Sequence, residues 1–215
     1  MKKTIVHLMV CSALSGQAYA ADLVVDVSDQ DGNPAANAVV SLTPQFSMTQ
    51  MPALVGKAEM RQQGTMFVPF VLPVSVGATV SFPNFDEFRH QVYSFSKPKR
   101  FELRLYGQDE SKTIQFDKPG VVALGCNIHD NMLAYIYVST APIVASTDSN
   151  GQVKISGLEA GAYRVEYWHP DMPTGGGENS GQLELTEGQE TGVKTMLTLR
   201  SIRSAQKPPS EDEYN

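Results

Sequence analysis

Residues 125–132 read Gly-Cys-Asn-Ile-His-Asp-Asn-Met. The C-x-x-H-x-x-M spacing puts a thiolate, an imidazole and a thioether on one short loop, at Cys126, His129 and Met132. A second imidazole, His90, stands about 35 residues earlier, at the head of the β-forming run Gln91 to Phe95. Each donor type has its own use. A soft thiolate suits Cu(I) and bonds covalently to Cu(II), imidazole accepts both states, and a distant thioether perturbs Cu(II) only weakly. Closed zinc sites instead prefer four strong donors, and thioether is a poor one. The four residues are therefore read as ligands of one copper ion in a trigonal His2Cys set with an axial Met.

Such ligands need rigid supports, and the sequence supplies strands. Short runs rich in Val, Phe, Tyr and Thr alternate with Gly, Pro, Asn and Asp. They include Leu23 to Val27, Val39 to Leu42, Phe67 to Val74, Thr79 to Phe82 and Gln91 to Phe95. Phe101 to Leu105, Thr113 to Phe116, Gly120 to Cys126, Leu133 to Val138 and Tyr163 to Trp168 follow. No long stretch repeats with helical period. The fold class is all-β, and the ligand loop falls between two strands, 120–126 and 133–138.

The ligand region resembles the cupredoxin family, and its short C-x-x-H-x-x-M loop is most similar to amicyanin and plastocyanin-like members. Phe116-Asp117-Lys118-Pro119-Gly120 resembles the F-x-x-P-G stretch that leads into the family's cysteine strand. Val74-Ser75-Val76-Gly77-Ala78-Thr79-Val80-Ser81-Phe82 resembles the V-x-x-G-x-T-V-x-F region before the first histidine. The resemblance implies a Greek-key β-sandwich, a type 1 blue copper site and electron transport, with His129 near the surface as the electron's exit. One residue departs from the pattern. Many cupredoxins carry Asn after the first histidine, tying the ligand loops together; here it is Gln91.

The flanks have another flavour. Val25 to Leu42 contains an Asp-Gly turn followed by Pro34 and a strand. Far downstream, Thr147-Asp148-Ser149-Asn150-Gly151 and Leu158-Glu159-Ala160-Gly161-Ala162-Tyr163 carry hairpin signals. Together they resemble the carboxypeptidase regulatory-like, or transthyretin-like, β-sandwich. Its two halves stand about 100 residues apart here, far beyond an ordinary loop. The reading is a cupredoxin domain over 50–139 inserted into a discontinuous sandwich of 21–46 and 140–200, with a disordered tail over 201–215. The whole arrangement is similar to bacterial plastocyanin-like proteins labelled as methylamine utilisation proteins. His169 is read as structural and Gly175-Gly176-Gly177 as a flexible turn. Met48, Met51, Met60 and Met66 in the joint are read chiefly as linker and core residues, with a second Cu(I) site as the alternative.

Lys2 and Lys3, the apolar run Ile5 to Leu14 and Ala18-Tyr19-Ala20 form a secretory signal peptide over 1–20. No later stretch reaches the roughly 20 apolar residues of a transmembrane helix. The expected location is the periplasm. Cleavage leaves one cysteine, Cys126, which cannot form an internal disulfide and is buried and inert, paired with another chain, or committed to chemistry. The formal net charge of −6 becomes more negative once Lys2 and Lys3 leave. It disfavours nucleic acid and suits a basic redox partner such as a cytochrome c. The expectation is a one-electron carrier and not an enzyme. Copper storage or delivery is the first rival, and a non-redox structural or recognition module the second.

Overall fold

The computed structural model describes residues 20–49, 58–173 and 179–200. Its strands are β1 (Ala21–Asp29), β2 (Val39–Pro44), β3 (Arg61–Gln62), β4 (Phe67–Val68), β5 (Val71–Ser75), β6 (Thr79–Pro83), β7 (His90–Ser94) and β8 (Phe101–Tyr106). Then come β9 (Ser111–Gln115), β10 (Gly120–Gly125), β11 (Leu133–Ser139), β12 (Ile143–Ser146), β13 (Gln152–Leu158), β14 (Gly161–Trp168), β15 (Ser180–Leu185) and β16 (Glu190–Leu197). The protein is all-β. Among the described residues no helix is long and apolar enough to cross a membrane. Residues 1–19 of the signal peptide, Met51, the 175–177 glycines and the tail from 201 lie outside the described residues.

Strands of 21–44 pair with strands of 143–197. β1 alternates strictly, turning Ala21, Leu23, Val25 and Val27 inward, as a strand with one core face must. It runs antiparallel to β13 and parallel to β16. β2 lies between β12 and β14, antiparallel to both, and β15 extends that sheet. The two sheets close over Val40, Leu42, Leu158, Tyr163 and Leu197.

The strands between pair with one another. A five-stranded sheet runs β5-β11-β10-β7-β8, with β5 parallel to β11, and β6 pairs with β9. Their inward residues, among them Phe82, Val92, Phe116, Leu124 and Ile136, make a second buried cluster. The chain's single tryptophan makes a contact between the two groups of strands. Trp168, at the end of β14, lies 5.1 Å from the Tyr137 ring and 6.1 Å from the Tyr135 ring, both on β11. Offset and edge-on ring contacts of this kind are favourable beyond the area they bury.

One sequence expectation changes. The run Phe67 to Val74 is two strands, because Pro69 has no N–H to continue the ladder; β4 pairs with β3 while β5 joins the large sheet. β15 and β16 lie within the outer sandwich expected over 140–200 but are not among the runs named above. Their sequences, Ser-Gly-Gln-Leu-Glu-Leu and Glu-Thr-Gly-Val-Lys-Thr-Met-Leu, are polar, and each buries little more than its final leucine. They pair with β14 and β1, respectively. The joint methionines divide: Met48 packs on the first cluster and Met60 is fully buried in the second.

Gly151 locks the first sandwich. Its φ is +70°, and a Cβ there would lie 2.4 Å from the Val27 carbonyl oxygen and 2.9 Å from the Ala35 nitrogen. Gly151→Ala is expected to lower stability by about 2 kcal/mol, read as a lower denaturant midpoint at unchanged m-value.

His169 is buried, with both ring nitrogens used by the fold. Nε2 lies 3.0 Å from the Ala36 carbonyl oxygen, and Nδ1 accepts the Asp171 N–H at 3.1 Å. Burial holds its pKa below the ordinary 6.5, against the opposing pull of the Ala36 carbonyl and Asp171. The unfolded chain therefore takes up the proton first, and stability falls as pH drops through about 6.5. In metal-free protein, His169→Gln is expected to flatten the loss of melting temperature between about pH 7.5 and 5.5; an unchanged slope would refute the assignment.

Candidate metal centre

β10 and β11 are neighbours in register, Gly120 opposite Val138 through Gly125 opposite Leu133. Each is anchored by alternate apolar residues, Val122 and Leu124 on one and Ala134, Ile136 and Val138 on the other. The loop between them is short, and the Met132 N–H closes it on the His129 carbonyl at 3.1 Å. Cys126, at its start, is 4% exposed and Met132, at its end, 2%. The other wall is β7, where His90, Val92 and Ser94 face inward. Gly125 makes the close approach possible, because the Tyr93 ring occupies the space its side chain would take, 2.7 Å from a Cβ built there.

The structure brings three of the four expected residues together. One donor atom each from His90, Cys126 and His129 lies within 4.8 Å of the other two. Cys126 Sγ is 3.9 Å from His129 Nδ1, and the two imidazole centroids are 4.9 Å apart. Met132 is buried on the same loop, and with Cys126 it lines a cavity of about 360 Å³ that also touches Tyr93, Phe95 and Asp130.

The electrostatics are those of a preformed pair. Burial pushes the Cys126 thiol up, but His90 and the backbone N–H groups of Gln91 and Ile128 outweigh it and leave the thiol below its ordinary value. Burial pulls His90 down, but Cys126 and Asp86 outweigh it and leave the imidazole raised. His129 is lowered, first by burial and then by His90. Without a metal, His90 and Cys126 each shift the other towards its charged form.

One atom tests whether a metal fits. His90 is fully buried, and its Nδ1 has no hydrogen-bond partner among the described residues. An orphaned buried ring nitrogen costs free energy unless something accepts its lone pair. A thiolate and a second imidazole converge beside it, so the donor set fits a soft or borderline cation.

Gln91 does not bridge the ligand loops with its side chain. Its amide donates to exposed Glu102 Oε1 at 2.7 Å, and it is the Gln91 backbone N–H that serves the sulfur. Sequence reasoning missed Asn84 and Asp86. Asn84 is buried and donates to the carbonyls of Phe88 at 2.7 Å and Tyr106 at 3.1 Å, fixing the loop before His90. Asp86 Oδ2 lies 2.8 Å from His90 Nε2. The signal available was an Asp four residues ahead of a candidate ligand, a weak cue without the fold. Phe85, Phe88 and Ile128, on the two ligand loops, are exposed.

No protein-family model and no curated protein sequence matches the chain. Solved structures similar to part of it are cupredoxins. A copper-containing nitrite reductase from Thermus scotoductus SA-01 is 28% identical, covering 44% of this chain and 25% of its own, with a TM-score of 0.37. A Cu(I) amicyanin variant is 17% identical, covering 46% of this chain and 99% of its own, with a TM-score of 0.36. An oxidised amicyanin variant is 15% identical over 48% of this chain, again with 99% of its own covered and a TM-score of 0.37.

Proposed function

We propose that this chain is an exported type 1 copper protein that carries single electrons between periplasmic redox partners. The observation that carries the reading is the buried, unpartnered Nδ1 of His90 beside the Cys126 thiol and the His129 imidazole. His90, Cys126 and His129 would hold the ion, with Met132 as the axial thioether. Copper would supply a one-electron couple there, with no bound substrate and no catalysed bond change.

The chain's own residues prepare that role. Donors held on strands and a short closed loop have little room to rearrange, which keeps the cost of changing oxidation state low. A ligating sulfur must be deprotonated, so metal uptake would release a proton. His129 is less buried than His90 and Cys126. With exposed Ile128, Phe85 and Phe88 on the ligand loops, it would form the edge at which a partner docks. The net charge of −6 suits a basic partner such as a cytochrome c. We take the copper unit, about residues 50–139, as a domain inserted into the outer sandwich of 21–46 and 140–200. That sandwich would be a spacer or recognition platform.

Wild-type protein loaded with Cu(II) is expected to be intensely coloured through charge transfer from Cys126, and Cys126→Ser to lose the colour even where metal stays bound; a colourless loaded wild type rules the reading out. Met132→Leu should stay coloured with a raised reduction potential, since losing a donor disfavours Cu(II) more than Cu(I).

His129→Gly separates the carrier from its first rival. The variant should leave an open coordination position that added imidazole fills, and electron exchange should fall sharply with copper still bound. Unchanged exchange together with faster release to a chelator would replace electron transfer by copper delivery.

A further inference from the structure

The Asp86 carboxylate is held from two separate parts of the chain. Oδ1 accepts the Gly64 N–H at 2.7 Å, and Oδ2 accepts the Thr65 N–H at 3.0 Å. Oδ2 also lies 2.8 Å from His90 Nε2, and the Asp86 side chain is only 12% exposed. Gly64 and Thr65 both have positive φ, 62° and 54°. Successive N–H groups in such a turn form a concavity suited to an anion. From the other side, the Asp86 backbone N–H donates to Asn84 Oδ1 at 2.9 Å.

Two consequences follow for His90. A carboxylate is acceptor-only, so Nε2 must carry a proton, and in the neutral ring Nδ1 then presents its lone pair. That lone pair is the one left unpartnered in the metal centre. The ring is also anchored at its far end, which fixes its rotation. A fixed negative charge one ring away from the metal position favours the more highly charged ion.

We propose that Asp86 is a positioning residue of the copper site. It locks His90 in the Nε2–H tautomer and, held by the Gly64–Thr65 turn, biases the site towards Cu(II) over Cu(I). The proposal rests on the copper reading above and adds to it a residue that touches no metal.

The test uses the full exported chain, loaded with copper, as wild type, Asp86→Asn and Asp86→Glu. Asp86→Asn is expected to raise the reduction potential and to speed Cu(II) loss to a chelator by about ten-fold or more. Asp86→Glu, which keeps the charge and an acceptor, should recover most of the potential. A purely structural role would lower the melting temperature of metal-free Asp86→Asn and leave the potential of the loaded protein at the wild-type value; that result overturns the proposal. If Asp86→Asn does not fold, NMR of Cu(I)-loaded wild type decides. A slowly exchanging proton on His90 Nε2 supports the assignment, and a proton on Nδ1 refutes it. A wild type with no thiolate band in Cu(II) removes the copper reading itself, whereas a normal band with an unshifted Asp86→Asn potential removes only the role of Asp86.

Discussion

Two imidazoles and a thiol cannot sit within 4.8 Å of one another, largely out of water, unless something answers their lone pairs and charges. Burying a charge costs several kcal/mol unless it is paired. Here the answer is partly internal. His90 and Cys126 each favour the other's charged form, and Asp86 faces the far side of His90. Beyond the Cys126 sulfur, Nδ1 of His90 meets no hydrogen-bond partner among the described residues. Three donor atoms thus converge in a largely buried place, an arrangement suited to receiving an ion.

The surrounding strands serve that constraint. The donors come from separate places, His90 at the head of β7 and the others on the β10–β11 loop, so the large sheet must fix their separation. It does so by close approach, with Gly125 giving its side-chain volume to the Tyr93 ring. The loop before His90 has no such ladder on its own. It is tied instead by Asn84 to the Phe88 and Tyr106 carbonyls, and by Asp86 to the 64–65 turn. A buried Gln62 amide and the Tyr106 hydroxyl, which is also bonded to the Phe82 carbonyl, brace the same corner. Polar groups at this depth specify geometry as long as their partners are present.

The outer sheets obey a different constraint. β1 has a continuous apolar face and must be covered on both edges, yet its partners β13 and β16 come from far along the chain. The parallel β1–β16 pair cannot be made by a tight turn. Gly151 and the His169–Asp171 corner bring the distant segments back, the first by fitting under Val27 and the second by bonding to Ala36. Trp168 then rests on Tyr135 and Tyr137, so the strand leaving the 126–132 loop also meets β14 of the outer sheets.

Chemistry that depends on residue type and short spacing was legible in the sequence. Cys126, His129 and Met132, the residues that suggested a metal site, lie within one loop, and the all-β class shows in strands whose inward faces are strongly apolar. Local turn residues likewise marked where the flanking strands return. What the sequence left open depends on long-range contact. Gln91 was a candidate bridge by type, but its backbone serves the sulfur while its side chain turns to Glu102. Asp86 and Asn84 look like ordinary loop residues until the fold places Gly64, Thr65 and Tyr106 beside them. β15 and β16 carry few apolar residues, and their pairing with β14 and β1 shows them as strands. A residue's type and spacing decide which bonds it is able to make; the tertiary structure alone decides which partners arrive within reach, because those partners are set by strand register and burial across the whole chain.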